Sequence, residues 1–154
     1  MKTLALAIMT TSLLFSGVSW SAEPERASFD VTVIDAKKTP GEVDPKLEHL
    51  KDVLKRSFKG YKSFRQVNRT KFSVDEGASH TTPLVGSQKL KVSLNSGGAK
   101  GFLKVHLVSG DLKTTVDVLD GGLFFQAVRG PKGAALVIAI RATRIVKAKT
   151  PGSR

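Results

Sequence analysis

At 154 residues, with 25 Lys and Arg against 13 Asp and Glu and no cysteine, the chain is of single-domain size and cannot rest on disulfides. The lack of cysteine also excludes a thiol nucleophile and a lipid-modified cysteine at a cleavage site. A formal charge of +12 favours anionic partners and also keeps a protein soluble, two roles that the sequence leaves side by side.

The first residues, M-K-T-L-A-L-A-I-M-T-T-S-L-L-F-S-G-V-S-W-S-A, place Lys2 ahead of an apolar run from Leu4 to Phe15, followed by small residues. This is the layout of a secretory signal peptide. Crossing a bilayer takes about 20 apolar residues, and Thr10, Thr11, Ser12 and Gly17 interrupt this run, so removal is expected and no transmembrane segment is left. Ser19 and Ser21 suit signal peptidase for a cut before Ala22, with a cut after Ala22 as the alternative. Residues 1–21 therefore read as a signal peptide and residues 22–154 as one β-rich domain with a basic C-terminal tail. An exported chain without disulfides fits a bacterial cell envelope, so a periplasmic or secreted location is expected.

F-D-V-T-V-I, Phe29 to Ile34, alternates and predicts a strand with Phe29, Val31 and Val33 on one face. A loop with Pro40 and Gly41 follows, and Asp44 stands where a helix N-cap belongs, with Pro45 at the first helical position. Leu47, Leu50, Val53, Leu54 and Phe58 recur at spacings of three and four, predicting an amphipathic helix over Pro45 to Lys59. Gly60 suits the left-handed residue that closes a helix. Residues 61–67 and 70–75 read as two strands with Phe64, Phe72 and Val74 inward. Asp75 to Pro83, D-E-G-A-S-H-T-T-P, reads as a loop.

The second half predicts strands at Leu90–Leu94, Phe102–Val108, Thr114–Leu119, Leu123–Val128 and Ala134–Arg141, separated by N-S-G-G, S-G-D, D-G-G and R-G-P-K-G. In the Phe102 strand, Leu103, Val105 and Leu107 face one way and Lys104 and His106 the other, so one side is wet. L-F-F-Q-A-V and A-L-V-I-A-I are apolar on both faces, as central strands with a second layer over them are. The expected class is α+β: a mainly antiparallel meander, as a sheet of about six strands or a small sandwich, with one helix packed on it.

No catalytic, cofactor or metal motif emerges. His49, His80 and His106 are the only histidines, and no serine lies in a G-x-S-x-G turn. Asp75, Glu76 and His80 sit close in one loop, the one local set with metal-ligand or hydrolase chemistry, but without a recognised metal spacing. The Gly97-Gly98 and Gly121-Gly122 pairs and G-P-K-G lead into strands, so they read as turns and not as phosphate loops. The stretch Leu54 to Phe72 interleaves seven cations with four aromatics and no acid. Such a pattern serves single-stranded nucleic acid in other proteins, yet an export signal removes the chain from intracellular nucleic acid and the rings fit core positions. Its cations Lys55, Arg56, Lys59, Lys62, Arg65 and Arg69 are the candidate partner surface, facing an envelope protein or an anionic envelope polymer.

V-D-P-K-L-E-H-L-K-D-V-L-K-R-S-F-K-G-Y-K-S-F-R, with the late T-T-V-D-V-L-D-G-G-L-F-F-Q-A-V-R-G-P and A-L-V-I-A-I-R-A, resembles a family of small exported proteins of myxobacteria and related bacteria, over residues 29–142. The resemblance brings no established enzymatic activity and no catalytic residues to carry over, and some similar proteins are linked to gliding-motility and envelope machinery. The expected function is thus an exported, non-enzymatic binding or structural domain, an accessory part of an envelope or motility assembly. The alternatives are a basic protein that binds lipopolysaccharide, acidic glycan or extracellular DNA, and a small hydrolase using Asp75, Glu76 or His80.

Overall fold

Alternation in the first strand decides how many cores the protein has. In the computed structural model, which describes residues 25–146, β1 (Arg26–Lys37) directs Ala27, Phe29, Val31 and Val33 into one core and Ile34 and Ala36 into another. Successive side chains of a strand point to opposite faces, so one strand serves both. The segments read from the sequence as a signal peptide with its cleavage site and as a basic tail lie outside the described residues. No helix among the described residues is long and apolar enough to cross a membrane.

The remaining strands are β2 (Ser63–Asp75), β3 (Ser79–Pro83), β4 (Lys89–Asn95), β5 (Phe102–Ser109), β6 (Leu112–Leu119), β7 (Leu123–Arg129) and β8 (Ala135–Arg144). They form two four-stranded antiparallel sheets, β2-β1-β8-β7 and β3-β4-β5-β6, so the fold is α+β and built as a sandwich. The first core lies between the sheets: Phe29, Val31, Ile138 and Ile140 meet Leu90, Val92, Leu103, Val105 and Leu107. The second lies on the outer face of the first sheet, where Leu47, Leu50 and Leu54 pack on Ile34, Phe64, Val137 and Ala139. β8 is buried on both faces for this reason, as its apolar run requires.

The helical segment is shorter and tighter than its apolar stripe predicts. Pro45–Leu50 is a 3₁₀ turn, and α1 covers only Lys51–Ser57. Asp44 does cap the start: Lys46 N–H donates to its Oδ1 (3.0 Å), and Gln66 N–H on β2 donates to its Oδ2 (3.1 Å). That second bond ties the helix start to the sheet. Phe58 ends α1 at φ −120° and ψ 58°, and Gly60 is not among the residues with positive φ. The turn after the helix is held instead by Tyr61 N–H to Phe58 C=O (2.9 Å) and Lys62 N–H to Lys37 C=O (2.8 Å).

Several expectations need correction. The two strands expected at 61–67 and 70–75 are one long strand, Ser63–Asp75, with a bulge: Val33 faces Asn68 but Ile34 faces Gln66, leaving Val67 unpaired. A bulge inverts the alternation beyond it, so Phe64 packs under the helix while Phe72 and Val74 face the opposite core. Asp75 to Pro83 is not all loop, because β3 occupies its second half and pairs with β4. Its inward residue is a threonine, Thr82, buried with its hydroxyl unpartnered among the described residues, which hides the strand from a hydrophobicity pattern. β7 is an edge strand and not a central one; on its outer face Leu123 and Phe125 are only partly buried against the second core, with Phe58 set edge-on to Phe125 at 6.0 Å.

The turn from β6 to β7 needs its glycines. Gly121 takes φ 78°, and a Cβ on Gly122 would lie 2.6 Å from the Leu119 carbonyl oxygen. The turn is anchored to β8, since Gly121 N–H donates to Ala142 C=O (2.8 Å) and Ala142 N–H to Gly122 C=O (3.2 Å). Arg144 closes the same end through Glu25, Asp120 and the Phe102 carbonyl.

Candidate functional site

The six candidate cations separate into two groups. Lys55 and Arg56 occupy the last turn of α1, where cations complement the negative end of the helix dipole. Lys59 and Lys62 lie in the turn that follows. All four are exposed, and none forms an ion pair among the described residues. Between them in sequence, Phe58 and Tyr61 turn inward and line a cleft of about 370 Å³ with Ala127, Val128 and Arg129 of β7. Lys38 adds a cation 6.0 Å from the Tyr61 ring.

Arg65 and Arg69 behave differently because β2 lies beside β1. Arg65 reaches Asp35 at 3.6 Å, and Lys37 reaches the same carboxylate at 3.8 Å. Arg69 grips Asp30 with two donors, Nε at 2.9 Å and a terminal nitrogen at 2.6 Å. Lys71 stands 3.8 Å from the same carboxylate. The Arg69 hydrogen bond holds the Asp30 carboxyl below its usual range; partial burial opposes this, and the charges of Arg69, Lys71 and Arg141 reinforce it. The carboxylate in turn raises the pKa of Arg69. The bulge at Val67 places Arg65 and Arg69 on opposite faces, so the structure does not bring all six residues together.

Around Asp30 lies a small cleft of about 110 Å³, whose lining includes Thr32, His49, Arg69 and Arg141. A larger one of about 400 Å³ gathers Asp35, Glu42 and Asp44 with Lys37, Ser63 and Arg65. This gathering of acids is invisible in the sequence, because Asp35 and Arg65 come from neighbouring strands and Asp44 from the helix cap. Two of its carboxylates already have structural partners, Asp44 in backbone N–H groups and Asp35 in cations.

Asp75 at the end of β2, Glu76 after it and His80 in β3 are engaged separately. Asp75 pairs with Arg26 at 3.4 Å, Glu76 accepts the Glu25 N–H at 3.1 Å, and His80 stacks on Phe72 with ring centres 4.1 Å apart. Among the described residues no three His, Asp or Glu side chains come close enough to hold a metal. His106 bonds Thr115 across the outer face of the second sheet (2.9 Å).

That outer face is a second basic region, which no run of basic residues announces because its lysines alternate with core residues. Lys91 and Lys113 both flank Val108 in the register, and Lys89 and Lys104 share the face. None of the four forms an ion pair among the described residues. The signal was present as K-L-K-V in β4 and L-K-V-H in β5, where alternation puts each lysine outward. Comparisons with protein-family models, with curated proteins and with solved structures found no match.

Proposed function

We propose that the chain is an exported, non-enzymatic binding domain, periplasmic or secreted, that serves a bacterial envelope or motility assembly by holding an anionic partner at Lys55, Arg56, Lys59 and Lys62. The observation that carries this reading is the contrast within one basic stretch: four exposed cations without a carboxylate partner among the described residues, beside an aromatic-lined cleft, followed by two whose carboxylates lie on the neighbouring strand. Clustered unpaired cations repel one another, and an acidic partner removes that repulsion. The secretory layout of residues 1–21 and the family resemblance support the envelope setting.

Crosslinked pull-down from envelope fractions tests the reading. Wild-type protein is expected to recover an acidic partner that the fourfold variant K55E/R56E/K59E/K62E does not. Equal recovery by both proteins overturns the assignment of this surface.

The second basic face favours a further reading, in which the partner is a polymer such as lipopolysaccharide, acidic glycan or extracellular DNA. A polyanion long enough to span both regions releases counterions at each contact, so its binding falls steeply with salt. A weak salt dependence, together with loss of binding in the fourfold helix-end variant alone, favours the protein partner.

A further inference from the structure

An edge strand offers unpaired backbone groups to any chain that lies alongside it, and proteins commonly blunt such edges. Three of the four edges here are blunted. β2 carries the Val67 bulge and the cations Arg65, Arg69 and Lys71. β3 has five residues and ends in Pro83. β6 carries Lys113 and Asp117 on its exposed positions. β7, L-F-F-Q-A-V-R, has no proline, no bulge in its register with β8 and no charge before Arg129.

The direction of its free groups follows from the bonds at its two ends. Gly130 N–H donates to Ala134 C=O (2.7 Å), and Ala142 N–H donates to Gly122 C=O (3.2 Å). In an antiparallel ladder alternate residues bond to the neighbour, so Phe124, Gln126 and Val128 face β8, and Leu123, Phe125, Ala127 and Arg129 direct N–H and C=O away from it. Two side-chain amides occupy outward carbonyls: Gln126 Nε2 donates to Ala127 C=O (3.0 Å), and Gln88 Nε2 to Arg129 C=O (3.0 Å). Both accepting residues belong to the outward set, which agrees with the phase. No strand among the described residues pairs with this side.

We propose that β7 takes up an extended segment of an acidic partner protein as an added antiparallel or parallel strand, with an apolar side chain of that segment seated in the Phe58–Tyr61 cleft. The choice of occupant rests on charge. Arg141 donates to the Gly121 C=O at one end of the edge (2.9 Å), where Asp120 is taken up by Arg144, and Arg129 and Lys132 stand at the other, so a cation is on offer at each end. A second copy of this chain would set the same cations and a +12 charge against themselves, whereas acids flanking an apolar core complement both ends. Main-chain bonds then supply affinity, and the cleft supplies selectivity. The proposal rests on the anionic-partner reading for the charge of the segment, and on the backbone phase for its seat.

Amide hydrogen exchange by NMR on the exported protein tests it, with a capped probe peptide carrying a central Val-Thr-Val-Thr-Val run and paired glutamates at each end. Exchange at Leu123, Phe125 and Ala127 is expected to be fast in the free protein and to slow by about tenfold or more with the peptide. Phe124, Gln126 and Val128 are protected from the start. The same peptide with lysines in place of the glutamates is expected to leave exchange unchanged. Ala127→Pro, which removes an outward N–H, abolishes the effect; Ala127→Glu, at an exposed position, repels the peptide and serves should the proline disturb folding. Outward amides that are already slow in a concentration-dependent way would assign the edge to a second copy and overturn the proposal. So would equal protection by the lysine peptide, or no protection by either. Loss of envelope association in the fourfold helix-end variant, with no peptide protection at β7, sinks the strand addition alone and leaves the anionic partner standing.

Discussion

The two halves of the stretch Leu54 to Phe72 are alike in composition and opposite in what the fold does with them. In the first half, Lys55, Arg56, Lys59 and Lys62 end a helix and turn toward solvent, and Phe58 and Tyr61 are left half-buried at a cleft. In the second half, β2 lies against β1, whose Asp30 and Asp35 take up Arg69 and Arg65, and the rings go fully or largely into cores. A basic aromatic stretch is therefore not one surface. Charges beside a strand that carries acids become cross-strand pairs, and charges at a helix end with no acid beside them stay exposed to solvent.

The largest expected effect separates the rings of the two halves. Phe64 is 1% exposed beneath the helix, and Phe64→Ala is expected to cost about 3–5 kcal/mol in chemical denaturation. Phe58→Ala, at the rim of the cleft, should cost clearly less; equal losses would mean that the first half is as deeply packed as the second. Leu54→Ala comes next, at about 2–5 kcal/mol, since Leu54 is fully buried in the outer core. A near-zero change there would mean that α1 is not docked on the sheet.

Much of this was legible in the sequence, for reasons that can be traced. Leu47, Leu50 and Leu54 mark the buried face of the helix even though its first part is a 3₁₀ turn, because spacings of three and four suit either winding. β4, β5 and β6 follow from alternation and short glycine turns, since a meander pairs strands adjacent in sequence. The pairing of β1 with β8, from Ala27 with Arg144 to Ala36 with Ala135, joins the two ends of the domain and has no local signature. The bulge at Val67 inverts the faces of β2 without any glycine to announce it, and with it the fates of Arg65 and Arg69. Their partners Asp35 and Asp30 become neighbours only through the register of β1. The helix-end cluster was readable because its four residues are close in sequence, from the last turn of α1 to the turn that follows.

Smaller effects belong to the paired charges. The Asp30 carboxyl has a folded pKa below the ordinary value of 3.8. The stability it contributes is therefore fully present above the unfolded pKa and is lost as pH falls through the folded one. Asp30→Asn is expected to cost about 0–1 kcal/mol at neutral pH, because the pair is partly exposed and screened. The difference from wild type should shrink as pH falls below about 3.8. A cost independent of pH would mean that Asp30 acts through packing and not through Arg69.

The smallest effect on stability is expected for the helix-end cations, where K55E/R56E/K59E/K62E should denature close to wild type, each exposed site contributing about 0–1 kcal/mol at most. The most direct test of the contrast sets this variant beside R65Q/R69Q in co-sedimentation with isolated envelope across a salt series. Wild type and R65Q/R69Q are expected to bind alike at low salt and to release as salt rises, whereas the fourfold variant fails to bind while folded. Binding by the fourfold variant equal to wild type, or a loss confined to R65Q/R69Q, would contradict the account.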